Sequence, residues 1–450
     1  MRELRDPIHG FIALESREEN NIVDSKVFQR LRRIKQLAMA SLVYPGALHT
    51  RFEHTLGVAH LSGKLGARLL SSQEDRRLVR LAALLHDIGH GPFSHVSESV
   101  LKRFYDKDKV KLDKGQQIHE HLTISLIKHN EDLDRLISDT ERDYISGLLC
   151  GQWGSKILKD IVSGPLDADK LDYLLRDSYY CGVKYGIYDL DRLLATFKTL
   201  DDANDYAIGI QEDGVHSLEQ FFLAKFYMTT QVYRHRIRLI TDQMITRALV
   251  LGIEQDDLEF LKRPYTYDGS KEHADEWVRW DDEKLIHEIC RPEAKNGLAK
   301  RIFTDLRERR LHKRVFHVNL KDIENPGVRV ALAQDGQFAS LRDRLERDVA
   351  AYLSVDHYAI IALSYRVQSI REDDEPSIGD CVVIKSDGRP LFRTESTLYR
   401  SIDAAQKDEY LEVFAPVTFK DEADQRKRLQ TYNTAIREIV DNLLNPPSLP

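Results

Sequence analysis

The sequence predicts a mainly α-helical fold with a smaller C-terminal region of mixed α/β structure. Apolar residues recur with helical period from residue 22 to about residue 320, and short β-branched runs replace that pattern from about residue 327. At 450 residues, the chain exceeds the usual size of a single domain. We therefore expect a helical domain over residues 1–325, with its central part at about 50–180, and an α+β accessory region over residues 326–450.

The helical prediction depends on apolar segments separated by glycine, proline or charged residues. These segments are Leu56–Leu70, Leu78–Leu85, Leu122–Lys128 and Leu218–Leu251. The strands predicted from β-branched runs are Val328–Leu332, Tyr358–Leu363, Cys381–Ile384 and Tyr410–Phe414, with a hairpin turn at Ser386-Asp387-Gly388 and a last helix over Asp421–Leu444.

Composition excludes several classes of protein. With 66 Lys+Arg against 73 Asp+Glu, the net charge of −7 gives no overall attraction to nucleic acid or to an anionic membrane. Four cysteines without a C-x-x-C pair argue against a disulfide framework, and no apolar run is long enough to span a membrane. We expect a soluble cytoplasmic protein. The basic stretch Lys300–Arg314 is interpreted first as an amphipathic helix, and a nucleic-acid contact there is not favoured.

The candidate functional residues cluster at the end of a helix that is predicted to be buried. This helix ends in His86-Asp87, and Gly89, Gly91-Pro92 and further histidines follow. An imidazole beside a carboxylate can bind one divalent metal. A His-Asp pair alone is common by chance and could simply end a core helix.

Two other segments favour the metal interpretation. His54 shares a helix face with Val58 and Leu61, so its imidazole is expected to point to the core. After Gly164-Pro165, helical spacing places Asp169, Tyr173 and Asp177 along one side of a helix.

With His54, His86-Asp87 and Asp169 in the order H…HD…D, the chain resembles the HD superfamily of metal-dependent phosphohydrolases. The resemblance is to its deoxynucleoside triphosphate (dNTP) triphosphohydrolase branch, and it fades after about residue 250. The matching motifs are Asp6-Pro7-Ile8-His9-Gly10, Phe28-Gln29-Arg30-Leu31-Arg32, Arg51-Phe52-Glu53-His54, His86 to His95, and Asp169-Lys170-Leu171-Asp172-Tyr173.

The resemblance implies that His54, His86, Asp87 and Asp169 bind a metal. Two imidazoles with two carboxylates suit Mn, Fe or Zn, and a separate Mg would accompany the substrate phosphates. It also implies hydrolysis of dNTPs to deoxynucleoside and tripolyphosphate.

By matched position, the resemblance makes His119 the catalytic histidine. Glu98 stands where relatives carry an acidic partner for it, usually Asp. A surface His-x-His at a helix start is the plainer interpretation of His119 and His121.

The resemblance also assigns substrate contacts by position. Phosphate contacts are expected from Arg51 and Lys170, sugar contacts from Gln36, Tyr173 and Asp177, and further pocket contacts from His90, His95, Tyr233 and Lys225. The chain departs from the vertebrate member of this branch at Lys225, Thr229 and Arg234, which leaves the base preference open.

An activator site is implied in the same way. Arg2, Asp24, Gln29 and Arg32 match residues that bind a GTP or dNTP activator between subunits, so we expect a nucleotide-gated homo-oligomer, either a dimer or a tetramer. A solvated basic helix face is the simpler interpretation of this cluster.

Three rival functions stay open. The HD fold also serves nucleases and phosphodiesterases, and a catalytically silent nucleotide sensor would keep the same fold. The presence of all four ligands together with His119 argues against the sensor.

Overall fold

The computed structural model of the chain describes residues 2–113, 115–152, 155–200, 208–367, 378–401 and 408–445. Its helices are α1 (Arg17–Asp24), α2 (Lys26–Gln29), α3 (Arg51–Leu69), α4 (Gln73–Leu85), α5 (His95–Phe104), α6 (Ile118–His129), α7 (Glu131–Asp134), α8 (Asp139–Leu149), α9 (Lys156–Ser163), α10 (Ala168–Cys181), α11 (Leu190–Thr196), α12 (Val215–Tyr227), α13 (Arg236–Glu254), α14 (Glu259–Tyr265), α15 (Lys271–Trp277), α16 (Asp282–Cys290), α17 (Leu298–Arg307), α18 (Pro326–Ala333), α19 (Asp335–Leu353), α20 (Phe392–Glu395), α21 (Thr397–Ser401) and α22 (Glu422–Asp441). The strands are β1 (Arg2–Asp6), β2 (Gly10–Leu14), β3 (Phe197–Thr199), β4 (Ile208–Gln211), β5 (Lys313–Asn319), β6 (Ile361–Val367), β7 (Val382–Ile384) and β8 (Asp408–Ala415). The mainly α fold class is confirmed.

The chain divides into two compact units, a helical unit of residues 1–304 and 372–402 and a C-terminal unit of residues 305–371 and 403–450. This division differs from the expected boundary after residue 325 in two ways, and strand pairing explains both. Strand β5 pairs with β8, so residues from 305 onwards group with the C-terminal sheet. Strand β7 runs parallel to β4, with Gly209 opposite Val382, so its segment groups with the helical unit.

The core of the helical unit that positions the site is formed by α3 packed against α4 and α10. Helix α3 begins at a capping box, in which the backbone N–H of Thr50 donates to Glu53 at 2.9 Å. A Cβ atom on Gly57 would lie only 1.9 Å from Oδ1 of Asp172 on α10. Glycine at position 57 therefore permits the close approach of these two helices.

The C-terminal unit is built on a three-stranded antiparallel sheet in the order β5-β8-β6. Buried side chains of the strands, including Val413 and Phe316, form one apolar cluster with residues of α19 and α22, including Val349 and Ile436. Both long helices thus cover the sheet with one apolar face.

Two predicted elements were wrong. Residues Val328–Leu332 lie in helix α18 and not in a strand, because Asn325 caps the helix with its side chain and Pro326 occupies the first turn. These start signals outweigh the β-branched composition.

The predicted continuous helix Leu218–Leu251 is interrupted by a π-helical segment, Met228–Tyr233, between α12 and α13. Nδ1 of His235 then accepts the N–H of Ile237 and caps α13.

The predicted strands at Tyr358–Leu363, Cys381–Ile384 and Tyr410–Phe414 overlap β6, β7 and β8. At the predicted hairpin turn, the Lys385 N–H donates to the Gly388 carbonyl, but an isolated bridge from Val382 to Leu391 follows instead of a full strand. Among the described helices, none is both long and apolar enough to cross a bilayer.

Candidate metal centre and active site

His54, His86 and Asp87 converge on one point, where a ligand atom from each lies within 4.8 Å of the others. His54 projects from α3, which buries it to 1% exposure, and His86-Asp87 follow directly after α4. His86 Nδ1–H donates to the carbonyl of Ala83 at 2.7 Å, which leaves Nε2 with its lone pair. That Nε2 is buried and makes no hydrogen bond with any described residue. A metal ligand requires such a nitrogen.

The second imidazole is oriented in the same way. His54 Nδ1 lies 2.8 Å from Oδ2 of Asp172, and His54 Nε2 lies 2.9 Å from Oδ1 of Asp169. Burial alone would lower the pKa of His54, but hydrogen bonds and charge from Asp169 and Asp172 raise it to about 10. The site thus favours a positive charge, and a divalent cation would replace this proton.

Asp87 is the carboxylate of the cluster, and its charge is balanced by several neighbours. Burial would raise its pKa, but the positive charge of Arg51, together with His86 and His90, holds it well below the usual range. Arg51 Nη1 donates to Asp87 Oδ2 at 2.5 Å, while its Nε donates to Ser94 Oγ at 2.7 Å. The donor set of two imidazoles and one carboxylate fits a divalent metal.

His119 forms a dyad with Glu98. Its Nδ1 lies 2.9 Å from Oε2 of Glu98, and the same carboxylate accepts the N–H groups of Ile118 and His119 at 2.8 and 3.1 Å. Burial would raise the pKa of Glu98, but these hydrogen bonds and the His119 ring lower it. The imidazole of His119 stacks on that of His90, with ring centroids 4.0 Å apart, and His90 Nε2 lies 3.3 Å from Asp87. The dyad and the metal cluster are therefore in contact through one ring.

Both groups open into one cavity of about 830 Å³. The predicted site residues that line it are Gln36, Arg51, His86, Asp87, His90, His95, His119, Asp169 and Tyr173. The lining also includes Gln117, which precedes α6, Glu120 of α6, and Lys156 and Lys159 of α9. The cavity thus brings together the candidate metal ligands His86, Asp87 and Asp169 with the candidate proton donor His119.

Other predicted substrate residues lie outside the lining, as far as the chain is described. The Tyr233 hydroxyl donates to Asp177 Oδ2 at 2.7 Å, and His49 Nε2 lies 2.7 Å from the other oxygen of Asp177. Lys170 Nζ donates to Asp167 at 2.6 Å and to the Gly164 carbonyl at 2.9 Å.

Lys225, the last of these residues, is half-buried on α12 and is not among the residues that line the cavity.

The residues predicted to bind an activator lie near the N-terminus in two pairs. Arg2 Nη1 donates to Asp24 at 2.8 Å, with side chains 40% and 61% exposed. Arg32 Nε donates to the Gln29 side chain at 2.9 Å, and its guanidinium lies 3.5 Å from the centre of the Phe52 ring.

Sequence reasoning missed the support behind His54. Asp172 is fully buried, and besides His54 it contacts Arg176 at 2.8 Å and His9 at 2.7 Å. Arg176 in turn donates to Asp6. Asp172 follows Asp169 by three positions and precedes Arg176 by four, so helical spacing alone could have indicated an internal ion pair.

Comparisons with known proteins identify the family. A model of the HD domain matches residues 51–159, and a model of the HD-associated region matches residues 188–432, which is more than half of the chain. An uncharacterized protein of Methanocaldococcus jannaschii is 37% identical over 58% of this chain and 51% of its own length. A Dictyostelium discoideum protein named deoxynucleoside triphosphate triphosphohydrolase SAMHD1 homolog is 31% identical over 69% of this chain and 59% of its own length. The chain therefore spans between half and three fifths of these two relatives.

A solved structure shares the fold. The crystal structure of a phosphohydrolase from Bacteroides thetaiotaomicron has a TM-score of 0.72 at 23% identity, covering 92% of this chain and 99% of the other. The HD and HD-associated matches, with the metal cluster inside the first of them, show that the chain belongs to the HD-domain phosphohydrolase family.

Proposed function

We propose that the chain hydrolyses dNTPs to deoxynucleoside and tripolyphosphate in a metal-dependent reaction. The observation that carries the proposal is the contact between the Glu98–His119 dyad and the metal cluster across His90. Hydrolysis of a phosphate ester needs a polarised phosphorus and a proton for the leaving oxygen, and this cavity holds groups for both. The name of the Dictyostelium relative supports the choice of substrate.

His54, His86, Asp87 and Asp169 would hold the metal, for which we propose Mn, Fe or Zn, with Mg on the substrate phosphates. When bound, the metal supplies Lewis-acid polarisation of a phosphoryl oxygen and activation of water.

The residues of the chain account for the other requirements of the reaction. A water oxygen bonds to the α-phosphorus while the bond to O5′ breaks, so O5′ must gain a proton. Glu98 accepts the Nδ1–H of His119, which directs Nε2 of the imidazole to the substrate and stabilises a positive charge on the ring. His119 then protonates O5′, and the tripolyphosphate retains the oxygen of water.

Arg51 would stabilise negative charge on the substrate phosphate. With a 3% exposed side chain held between Asp87 and Ser94, its guanidinium is a fixed positive group beside the metal cluster. Fixed donors of this kind stabilise the charge that develops on phosphoryl oxygens.

The test is separation of products by anion exchange after incubation with Mn or Mg. Single dNTPs, all four dNTPs together, and dNTP with GTP are compared. The proposal expects deoxynucleoside and tripolyphosphate in equal amounts, and none from His86→Ala/Asp87→Ala. His129→Ala is the matched control, because His129 is an exposed histidine at the end of the same helix as His119.

Other products would reject the proposal. Release of dNMP and pyrophosphate, or cleavage of single-stranded DNA with intact dNTPs, would indicate a phosphodiesterase or nuclease instead. Metal-dependent dNTP binding without any product would indicate a sensor.

We also propose that a GTP or dNTP activator binds at Arg2, Asp24, Gln29 and Arg32 of a homo-oligomer. The exposed Arg2–Asp24 pair supports this, since an exposed ion pair is weak and a triphosphate can replace the carboxylate as partner of Arg2. Sedimentation with and without GTP tests it: an unchanged oligomer and an unchanged rate would reject it.

A further inference from the structure

A second cavity of about 140 Å³ adjoins the main one. Gln36 and His95 line both cavities, so the two cavities are neighbours that share these side chains. Its other wall is formed by α13, through Arg238 and Asp242. A molecule of liquid water occupies about 30 Å³, so this space has room for a planar ring or for several waters.

Polar atoms without partners surround this cavity. Among the described residues, no hydrogen bond is made by Oε1 of Gln36, by Nε and Nη1 of Arg238, or by Oδ1 of Asp242. Gln36 is only 6% exposed and Arg238 only 9%. An unsatisfied buried polar group destabilises the folded protein, so two donors and two acceptors around one cavity indicate a polar ligand.

Arg238 and Asp242 form an ion pair but no hydrogen bond with each other. Their closest atoms are 3.6 Å apart, which is too long for a hydrogen bond. Burial raises the pKa of Asp242 to about 6, against the opposing effect of the Arg238 charge. The carboxylate is therefore mainly ionised at neutral pH, where it acts only as an acceptor.

We propose that this cavity binds a guanine base, so that dGTP is the preferred substrate. Guanine carries two acceptors, O6 and N7, for the guanidinium of Arg238, and two donor groups, N1–H and N2–H₂, for Asp242 and Gln36. This proposal rests on the proposed function, in that it assumes that a deoxynucleotide occupies the main cavity.

With any other base, one of the two acceptor oxygens, Gln36 Oε1 or Asp242 Oδ1, would have no hydrogen-bond donor. Adenine and cytosine each have a single exocyclic amino group as donor on their pairing edges, and thymine has only N3–H. A site whose buried polar groups stay unpaired with the wrong ligand discriminates strongly against that ligand.

The first test uses the unaltered protein and changes the nucleotide. Binding of dGTP, dITP, dATP, dCTP and dTTP is measured with EDTA present, so that turnover does not interfere, and kcat/KM is measured with Mn. Because dITP is dGTP without the N2 amino group, we expect dITP to bind roughly 5- to 150-fold more weakly than dGTP. Each of the other three should be weaker by a similar factor.

The second test uses variants of α13. Arg238→Met and Asp242→Asn should each remove most of the preference for dGTP, while Arg236→Ala should leave it unchanged. Arg236 is an exposed arginine on the same helix and serves as the matched control.

Failure of this inference and failure of the proposed function give different results. Equal binding of dGTP and dITP would overturn the guanine site and leave water as the occupant of the cavity, even if all dNTPs are hydrolysed. Tighter binding of dGTP than dITP without hydrolysis of either would support the guanine site and reject the triphosphohydrolase. If Arg238→Met does not fold, the comparison of dGTP with dITP on the unaltered protein still decides.

Discussion

Asp172 Oδ2 lies 2.8 Å from Nδ1 of His54, inside the contact between α10 and α3. Because a carboxylate can only accept, this contact keeps a proton on Nδ1 of His54, so Nε2 is the nitrogen at which a metal would replace a proton. Gly57 makes room for the carboxylate, and Arg176 neutralises it. A residue that binds no metal itself thus prepares the ligand.

Asp172→Asn is expected to lower metal affinity by about 10- to 100-fold, because the amide cannot hold His54 in this orientation as strongly. The free energy of unfolding should also fall, by about 3 kcal/mol, since Arg176 loses a buried partner. Metal content after dialysis and urea unfolding measure the two effects. Asp143→Asn, on an exposed part of α8, is the control. Unchanged metal content would contradict the orienting role.

Glu98→Gln is expected to lower kcat about 100-fold with little change in KM, because the neutral amide no longer stabilises charge on His119. Steady-state kinetics provide both constants. Glu98→Asp should recover part of the rate, since it restores the charge. A change confined to KM would show that Glu98 supports substrate binding instead of proton transfer.

Arg51→Lys keeps the positive charge but cannot contact Asp87 and Ser94 together. We expect kcat/KM to fall about 100-fold while the metal stays bound. Metal analysis beside the kinetics separates these effects. If the lysine variant kept full activity, charge alone would explain the role of Arg51.

His60 makes the fold sensitive to acid. Burial first, and then the nearby His9, Lys64 and Arg80, lower the pKa of His60 to about 4, although Asp6 opposes this. Since the imidazole takes up a proton in the unfolded chain near pH 6.5, the folded state loses stability as the pH falls from about 6.5 towards 4.

Between pH 7 and pH 4.5, the unaltered protein should therefore lose about 1–2 kcal/mol more unfolding free energy than His60→Gln. Urea unfolding at both values measures the difference, with the exposed His129→Gln as the control. An equal pH dependence for the two proteins would contradict the shift.

Gly89→Ala tests how the dyad is placed. A Cβ atom on residue 89 would lie 2.2 Å from the His119 carbonyl and 2.4 Å from the Thr123 nitrogen, both backbone atoms of α6. We expect a loss of about 1–3 kcal/mol in unfolding free energy and a lower kcat, because α6 must move away from His90. Gly336→Ala, where nothing lies within 4 Å, should have neither effect. Unaltered kcat in Gly89→Ala would show that His119 tolerates the displacement.

The sequence was sufficient to predict the helices that carry the candidate metal ligands. The apolar period places His54 on the buried face of α3, and glycine and proline indicate the break after His86-Asp87. These signals are local. The structure agrees with them because the apolar helix faces that produce the periodic pattern are the faces that pack in the core.

Contacts between distant segments could not be predicted in this way. The position of Lys170 next to Asp167 and Gly164 depends on the turn before α10, not on its place in a motif. The cavity at Arg238 is lined by α13, which begins after the π-helical segment, and a continuous helical pattern concealed that break.

The most direct test of the central claim is the fate of the solvent oxygen. The protein is incubated with dGTP and Mn in water enriched in oxygen-18, and the products are analysed by mass spectrometry and phosphorus NMR. Attack at the α-phosphorus predicts one oxygen-18 atom in the tripolyphosphate and none in the deoxynucleoside. Label in dGMP, in pyrophosphate or in the deoxynucleoside would contradict the triphosphohydrolase reaction.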